Sequence, residues 1–404
     1  MPILNTTTLK GNILINFIQN ILLILLGCFI AFIAVEIFLR IYNPFVFSVK
    51  GDKIVLSANE KYTIKNHAIE KLDRAIVLKT NSIGFRGEEP PKNFKSYLTT
   101  ITVGGSTTKC GYLSEGRTWP DVLGMKLKNV FRNTWINNAG LDGHSTLGHL
   151  ILMEDYIVKL TPKNILFLVG INDEGNDAYQ WGFEDDKLLK KNGFYLKSLK
   201  SFGRTLANKS EVFAVGLNLF RYIKATMVGV RHDEEVNLSN KNLTLDLPEE
   251  EIALALEKHK KYLTSYEMRL NKLIQISRGK GIEPIFLTQP TLYGYGVDDV
   301  TKTDLERIYK RESENGKLAW KRLELYNDVV RQFAIRENVL VIDLAKEMPK
   351  SSKYYYDFSH YTNEGAEKVA EIVFEHLCPF YMRKYNEFAI SDCSIENKKL
   401  GSYK

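Results

Sequence analysis

Four short segments carry residue types able to do acyl chemistry. They are Gly104-Gly105-Ser106-Thr107-Thr108, the run Asn138-Ala139-Gly140-Leu141-Asp142-Gly143-His144-Ser145, then Gly170-Ile171-Asn172-Asp173, and finally Asp357-Phe358-Ser359-His360. Taken singly, each has an ordinary use: Gly-Gly-Ser as a tight turn, Gly-x-Asn-Asp as a helix cap, Asp-x-x-His as a surface hydrogen bond. Taken together they describe a hydrolytic site. A serine on a sharp strand-to-helix turn exposes its hydroxyl, a histidine takes the proton, and an aspartate fixes the histidine tautomer and stabilises the imidazolium. Ser106, His360 and Asp357 fill those roles. The small residues Gly105 and Gly143 let backbone N–H groups approach a developing oxyanion, and the Asn172 amide adds a further donor. This chemistry calls for no cofactor and no metal.

The elements that would position these residues follow from the hydrophobic pattern. Apolar, β-branched runs lie at Tyr97–Val103, Thr134–Asn138, Asn164–Val169, Ile282–Thr288 and Asn338–Ile342. Helical stretches lie between them at Trp119–Val130, Gly148–Leu160, Glu249–Arg278 and Thr303–Arg336. Strands alternating with helices predict βαβ units, hence an α/β fold with a parallel sheet of about five strands and helices on both faces. Ligands bind such sheets at the carboxyl ends of the strands, and the first three segments each follow a strand directly. The charged, aromatic stretch at about 175–247 breaks the alternation and reads as an insertion. Residues 42–96 read as a linker or small N-terminal subdomain, with a turn-like Asn81–Gly87 closed by Pro90-Pro91.

The four segments, in this order and spacing, resemble the conserved blocks of SGNH (GDSL-type) hydrolases, over about residues 97–378. The usual G-D-S is G-G-S here, a variant the resemblance associates with membrane-anchored members. The resemblance implies a flavodoxin-like three-layer sandwich and makes Ser106 the nucleophile. Asp357 and His360 match the D-x-x-H block, and Tyr361–Gly365 would open the helix that follows it. Asn172 matches the oxyanion asparagine. The oxyanion glycine of the second block falls at Gly143, with Gly140 as second choice, and the hole would comprise the Ser106 and Gly143 N–H groups with Asn172.

Other residues divide between site and scaffold. His144 and His149 read as structural histidines rather than a second base, and Asp173 as a cap of the following turn rather than an acid. Tyr293 and Tyr295, after the fourth strand, would stack on a sugar ring or pack. Tyr179, Trp181 and Phe183 would form a lid or a small core. Arg86 has no role legible in the sequence. Asn208-Lys-Ser and Asn242-Leu-Thr fit the glycosylation acceptor pattern.

One segment points to a membrane. From Ile13 to Val35 the chain carries no charge, and Ile21–Val35 is apolar apart from Gly27 and Cys28. A span needs about 20 predominantly apolar residues. The run exceeds a signal peptide's ~7–15 and lacks a small-residue exit, so residues 13–41 read as an uncleaved single-pass anchor behind a short tail, 1–12. Lys10 and the α-amino group face Arg40, Lys50 and Lys53 across it. That count slightly favours keeping the domain inside, whereas the resemblance implies the periplasmic or extracellular side.

Composition sets the outer limits. The chain has 404 residues, 44% hydrophobic and 25% charged, ordinary proportions that exclude a disordered, collagen-like or disulfide-stapled miniature protein. The excess of 55 Lys and Arg over 48 Asp and Glu is mild and scattered, unlike the basic face of a nucleic-acid binder. The four cysteines show no C-x-x-C spacing, so neither a zinc site nor a redox motif is indicated. Cys378 and Cys393 could pair in an oxidising compartment, the latter in a C-terminal tail, 379–404. The expected activity is a serine esterase that removes acyl groups, acetyl above all, from a cell-surface glycan or lipid. An O-acyltransferase would share its first half-reaction, and a non-catalytic envelope-assembly protein would keep only the fold.

Overall fold

The computed structural model describes residues 6–45, 47, 49–51, 53–175, 205–227, 235–236, 238, 245–311 and 314–394. Tyr179, Trp181, Phe183 and Asn242 lie outside the described residues, as does most of the expected insertion. In chain order the elements are α1 (Thr6–Ile41), β1 (Val49–Lys50), β2 (Lys53–Ile54), β3 (Lys61–Lys65), β4 (Ala75–Lys79), β5 (Arg86–Gly87) and β6 (Leu98–Gly104). Then come α2 (Ser106–Lys109), α3 (Trp119–Lys128), β7 (Thr134–Asn138), α4 (Thr146–Leu152), β8 (Asn164–Val169), α5 (Glu211–Met227) and α6 (Glu249–Gly279). The last are β9 (Glu283–Thr288), β10 (Tyr309–Arg311), β11 (Glu314–Asn315), α7 (Gly316–Glu337), β12 (Leu340–Ile342) and α8 (Asn363–Lys384).

The chain forms two compact units. One comprises Met1–Val55 with Lys190–Val230, the other Leu56–Leu189 with Arg231–Lys404. In the first unit, α1 contains a 26-residue stretch, Asn16–Ile41, long and apolar enough to cross a membrane; most of its side chains are exposed, and Leu39 near its end is buried. A later helix of that unit, α5, starts against α1. Ser210 Oγ and the Glu211 and Val212 N–H groups donate to the Glu36 carboxylate at 2.6, 3.1 and 3.1 Å.

The larger unit is built on a mixed sheet in the order β12-β9-β8-β6-β7-β5. Five strands run parallel as the pattern predicts; the sheet has six because β5 pairs antiparallel with β7. A two-residue edge strand inside a turn-like sequence has no hydrophobic pattern to betray it. Alternation sends successive side chains to opposite faces. Phe286 stacks on Phe167 and meets Phe333 of α7 on one face, while Ile285 and Leu287 join the cluster of Trp119, Leu123 and Phe374 from α3 and α8. Helices therefore cover both faces.

Two expected helices differ. The stretch from Thr303 does not become helical until Gly316. Tyr309–Arg311 and Glu314–Asn315 pair as a short hairpin first, and the Asn315 side chain accepts from Leu318 N–H at 2.9 Å to start α7. The other helix begins at Thr146 rather than Gly148, and a π turn at Met153–Ile157 interrupts it.

Candidate active site

Parallel register gathers the strand ends. Thr102 lies beside Asn138, Gly104 beside Leu168, and Val169 beside Thr288, so the loops after β6, β7, β8 and β9 leave the sheet along one edge. Ser106 begins α2, a single helical turn directly after β6. Two side chains fix the far end of that turn. Asn138 Nδ2 donates to Thr108 O at 2.7 Å. Arg86, itself buried, donates to the Lys109, Cys110 and Leu113 carbonyls at 2.6, 2.9 and 2.8 Å and pairs with Glu115 at 2.6 Å. Lys109 and Cys110 close the helix, where carbonyls lack helical partners, and Leu113 follows, its N–H donating to Cys110 O at 2.9 Å. The residue with no legible role thus pins the turn that carries Ser106; the sequence signal was an arginine inside an otherwise uncharged Asn81–Gly87.

The Asp357–His360 pair arrives from the far end of the chain. A bridge between Tyr355 and Tyr361 closes the loop between them, and Thr362 caps α8 immediately after, accepting from Gly365 N–H at 3.1 Å. Within the loop, Asp357 Oδ1 accepts the Ser359 and His360 N–H groups at 2.8 and 2.7 Å. Its Oδ2 lies 2.6 Å from His360 Nδ1, and His360 Nε2 lies 2.7 Å from Ser106 Oγ. The Tyr356 ring stacks on the imidazole, 20° from parallel. Burial alone would lower the His360 pKa, but the adjacent Asp357 carboxylate overcomes it and holds the pKa above its ordinary value. Burial works to raise the Asp357 pKa, and the imidazole with two backbone donors holds it below the usual range. Hydroxyl, imidazole and carboxylate form one hydrogen-bonded line.

The expected oxyanion donors come from two neighbouring loops. Asn172 sits on the turn after β8, and its Nδ2 donates to His144 O at 3.1 Å. A Cβ placed on Gly105 would lie 2.2 Å from that same Nδ2, so the Asn172 amide approaches the turn before Ser106 as closely as a glycine permits. Gly143 has φ +70°, and a Cβ built there would meet nothing within 4 Å, whereas Gly140, the second choice, has its N–H committed to Asn138 Oδ1 at 2.9 Å. Gly140 is instead a packing glycine, its missing Cβ 2.3 Å from Lys109 N.

The Asp173 carboxylate turns away from the turn that follows it, toward Thr146 and Arg269. It is buried and accepts from Thr146 Oγ1 at 2.6 Å, from Thr146 N at 3.2 Å and from Arg269 Nη2 at 3.1 Å. Burial pushes its pKa up, and Arg269 offsets this only in part. The pair ties the start of α4 to the turn bearing Asn172. Arg269 was missed; the available signal was a charge on the Tyr266-Leu270-Leu273 face of α6, which is buried. His144 and His149 are buried, which pushes their pKa values down to about 4 and about 3, so both stay neutral near pH 7. Tyr293 is packed rather than open: only 1% exposed, it lies under Lys310 and against Phe358, and it presents no face to a sugar. Tyr295 is 51% exposed beside Trp320. Among the described residues no group of three or more His, Cys, Asp or Glu side chains is arranged to hold a metal ion. Cys378 and Cys393 form a disulfide.

The sequence model of the GDSL-like lipase/acylhydrolase family matches residues 102–368, more than half of the chain. No curated protein matches it. Among solved structures, the chain is similar to Axe2, an acetylxylan esterase from Geobacillus stearothermophilus, at 14% identity and TM-score 0.39, covering 69% of this chain and 94% of that one. It is also similar to the acetyl xylan esterase AlAXEase, at 14% identity and TM-score 0.37, covering 69% and 98%.

Proposed function

Because the chain belongs to the GDSL-like lipase/acylhydrolase family, and is an ester-bond hydrolase, we propose that Ser106 is its nucleophile, His360 the base and Asp357 the residue that orients the base. The substrate is an acyl ester, acetyl first, on a glycan or lipid at a membrane surface. The observation that carries this reading is the unbroken line from Asp357 through His360 to Ser106, at 2.6 and 2.7 Å. Ser106 Oγ attacks the acyl carbonyl carbon while His360 Nε2 takes its proton. The developing oxyanion is met by the Ser106 and Gly143 N–H groups and by Asn172 Nδ2. His360 then returns the proton to the leaving alcohol, and water, deprotonated by the same imidazole, hydrolyses the acyl-enzyme.

Ser106 and His360 are only 8% and 6% exposed, a burial that favours a small acyl group. The length and hydropathy of α1 support an anchor, with residues 13–41 in the bilayer. The Cys378–Cys393 disulfide supports an oxidising, extracytoplasmic location for the domain. An acyltransferase would use the same acyl-enzyme with a sugar hydroxyl in place of water. The test is turnover of p-nitrophenyl acetate and butyrate by the full chain in detergent, beside Ser106→Ala. The expected result is faster acetate cleavage and a loss of at least about 1,000-fold in the variant. Equal rates in both proteins would overturn the proposal. Acceleration by an added oligosaccharide, with acylated sugar as product, would replace the esterase with the transferase.

A further inference from the structure

Helix α5 of the smaller unit has its polarity inverted. Along α5, Phe213, Gly216, Leu219, Phe220 and Ile223 recur at helical spacing and are all exposed, Phe220 to 64%. The polar residues are turned inward instead. Asn218 Nδ2 donates to Val49 O and Arg221 Nη2 to Gly51 O, both at 2.9 Å. A helix on an aqueous surface shows the opposite arrangement, with its apolar stripe covered and its polar face in solvent. We infer that α5 is a second membrane-contacting element, its Phe213–Ile223 stripe seated in the lipid beside α1; this rests on the reading of α1 as a membrane anchor.

Three observations name lipid as the occupant. The stripe is continuous with the apolar surface of α1: the Phe213 ring lies 5.8 Å from Phe32, one turn inside Glu36, and neighbouring Phe29 is 60% exposed. The level is that of an interface. Glu36 caps the start of α5, Arg40 donates to Lys209 O at 2.7 Å, and Lys50 pairs with Glu211, while the exposed aromatics Tyr42 and Phe45 follow the span. Charges and amphipathic rings gather where a bilayer gives way to water. Finally, the side of α5 opposite the stripe is covered by the chain that leaves the span, at Val49–Gly51. A helix with an exposed apolar stripe on one side and the Arg221 guanidinium on the other suits the plane of the interface.

The test uses the full chain in phospholipid nanodiscs, in a Cys28→Ser background that leaves only the buried Cys110 as a free thiol. Nitroxides are attached at Phe220→Cys and Ile223→Cys, at Leu22→Cys in the span, and at Glu250→Cys as an aqueous reference. Collision rates with oxygen and with a nickel chelate are measured at each. The proposal expects an oxygen-to-nickel ratio at 220 and 223 several-fold above that at 250, and intermediate between 250 and 22. A ratio equal to that at 250, with 22 still lipid-like, places α5 in water and overturns the proposal while leaving the anchor standing. Low collision with both reagents at 220 and 223 means that protein, such as a second copy, covers the stripe, and overturns it too. An aqueous ratio at 22 overturns the anchor and the proposal together.

Discussion

Replacing Gly105 by alanine tests how the turn before Ser106 is built. The new Cβ would sit 2.2 Å from Asn172 Nδ2 and 3.4 Å from His144 O. The first distance is impossible and the second is tight but tolerable. What must yield is the end of a flexible side chain, so the fold survives and the Asn172 amide swings away, breaking its 3.1 Å bond to His144 O. If Asn172 is an oxyanion donor, its displacement costs about 100–1,000-fold in kcat, or about 2.7–4 kcal/mol of transition-state stabilisation. KM and the melting temperature should barely change. A double-mutant cycle makes the reasoning strict. Asn172→Ala alone should show the same loss, and Gly105→Ala added to it should cost almost nothing more, because the group it displaces is gone. Steady-state kinetics on p-nitrophenyl acetate measure all four corners. Losses that multiply in the double variant, or a Gly105→Ala enzyme with unchanged kcat, would refute the link between the glycine and the amide. In this chain any side chain at 105 competes with Asn172 for one space.

Further outcomes follow from the neighbouring geometry. Activity should rise with pH through a His360 pKa above 6.5, since only the neutral imidazole accepts the Ser106 proton. Asp357→Asn removes what holds that pKa up, so the acid limb of the kcat profile should move to lower pH while kcat falls roughly 10,000-fold. Arg86→Ala takes a donor from three carbonyls and the partner from Glu115; at about 3–5 kcal/mol and roughly 2–4 °C per kcal/mol, the melting temperature should fall by about 6–20 °C, as read by calorimetry. Alkylation of the unfolded, non-reduced chain should modify two thiols, Cys28 and Cys110, rising to four after reduction. In the native fold Cys110 should stay unmodified, because burial pushes its thiol up to about 12. Cys393→Ser should then lower stability by about 3 kcal/mol for a loop of this size.

What could be read from the sequence was whatever hydrophobic pattern or local chemistry writes down. Asn164–Val169 is a strand from end to end, five apolar residues after one asparagine, as a buried parallel strand tends to be, and the weaker Thr134–Asn138 forms in the same sheet although it ends in two asparagines. Ser106, Asn172, Asp357 and His360 were legible because each is a chemically distinctive residue beside a glycine or turn. What was not legible is set by tertiary contact. The edge strand Arg86–Gly87 is held by its partner Asn137–Asn138 and not by its own composition. The Tyr309–Asn315 hairpin hides in a sequence with helical propensity. Arg86 and Arg269 look like surface charges until their acceptors, far away in the chain, fold around them. Tyr293 was open to stacking or packing in the sequence because burial of a ring depends on Lys310 and Phe358 reaching it.

The central claim is that Ser106 is the nucleophile, and a fluorophosphonate tests it most directly. The full chain is treated with the reagent, digested, and the adduct located by mass spectrometry. The account predicts a single adduct on Ser106, blocked by prior turnover-competing acetyl ester and absent in Ser106→Ala and in the heat-unfolded chain. Labelling that persists in Ser106→Ala, or a wild-type enzyme that cleaves p-nitrophenyl acetate while Ser106 stays unmodified, would contradict it.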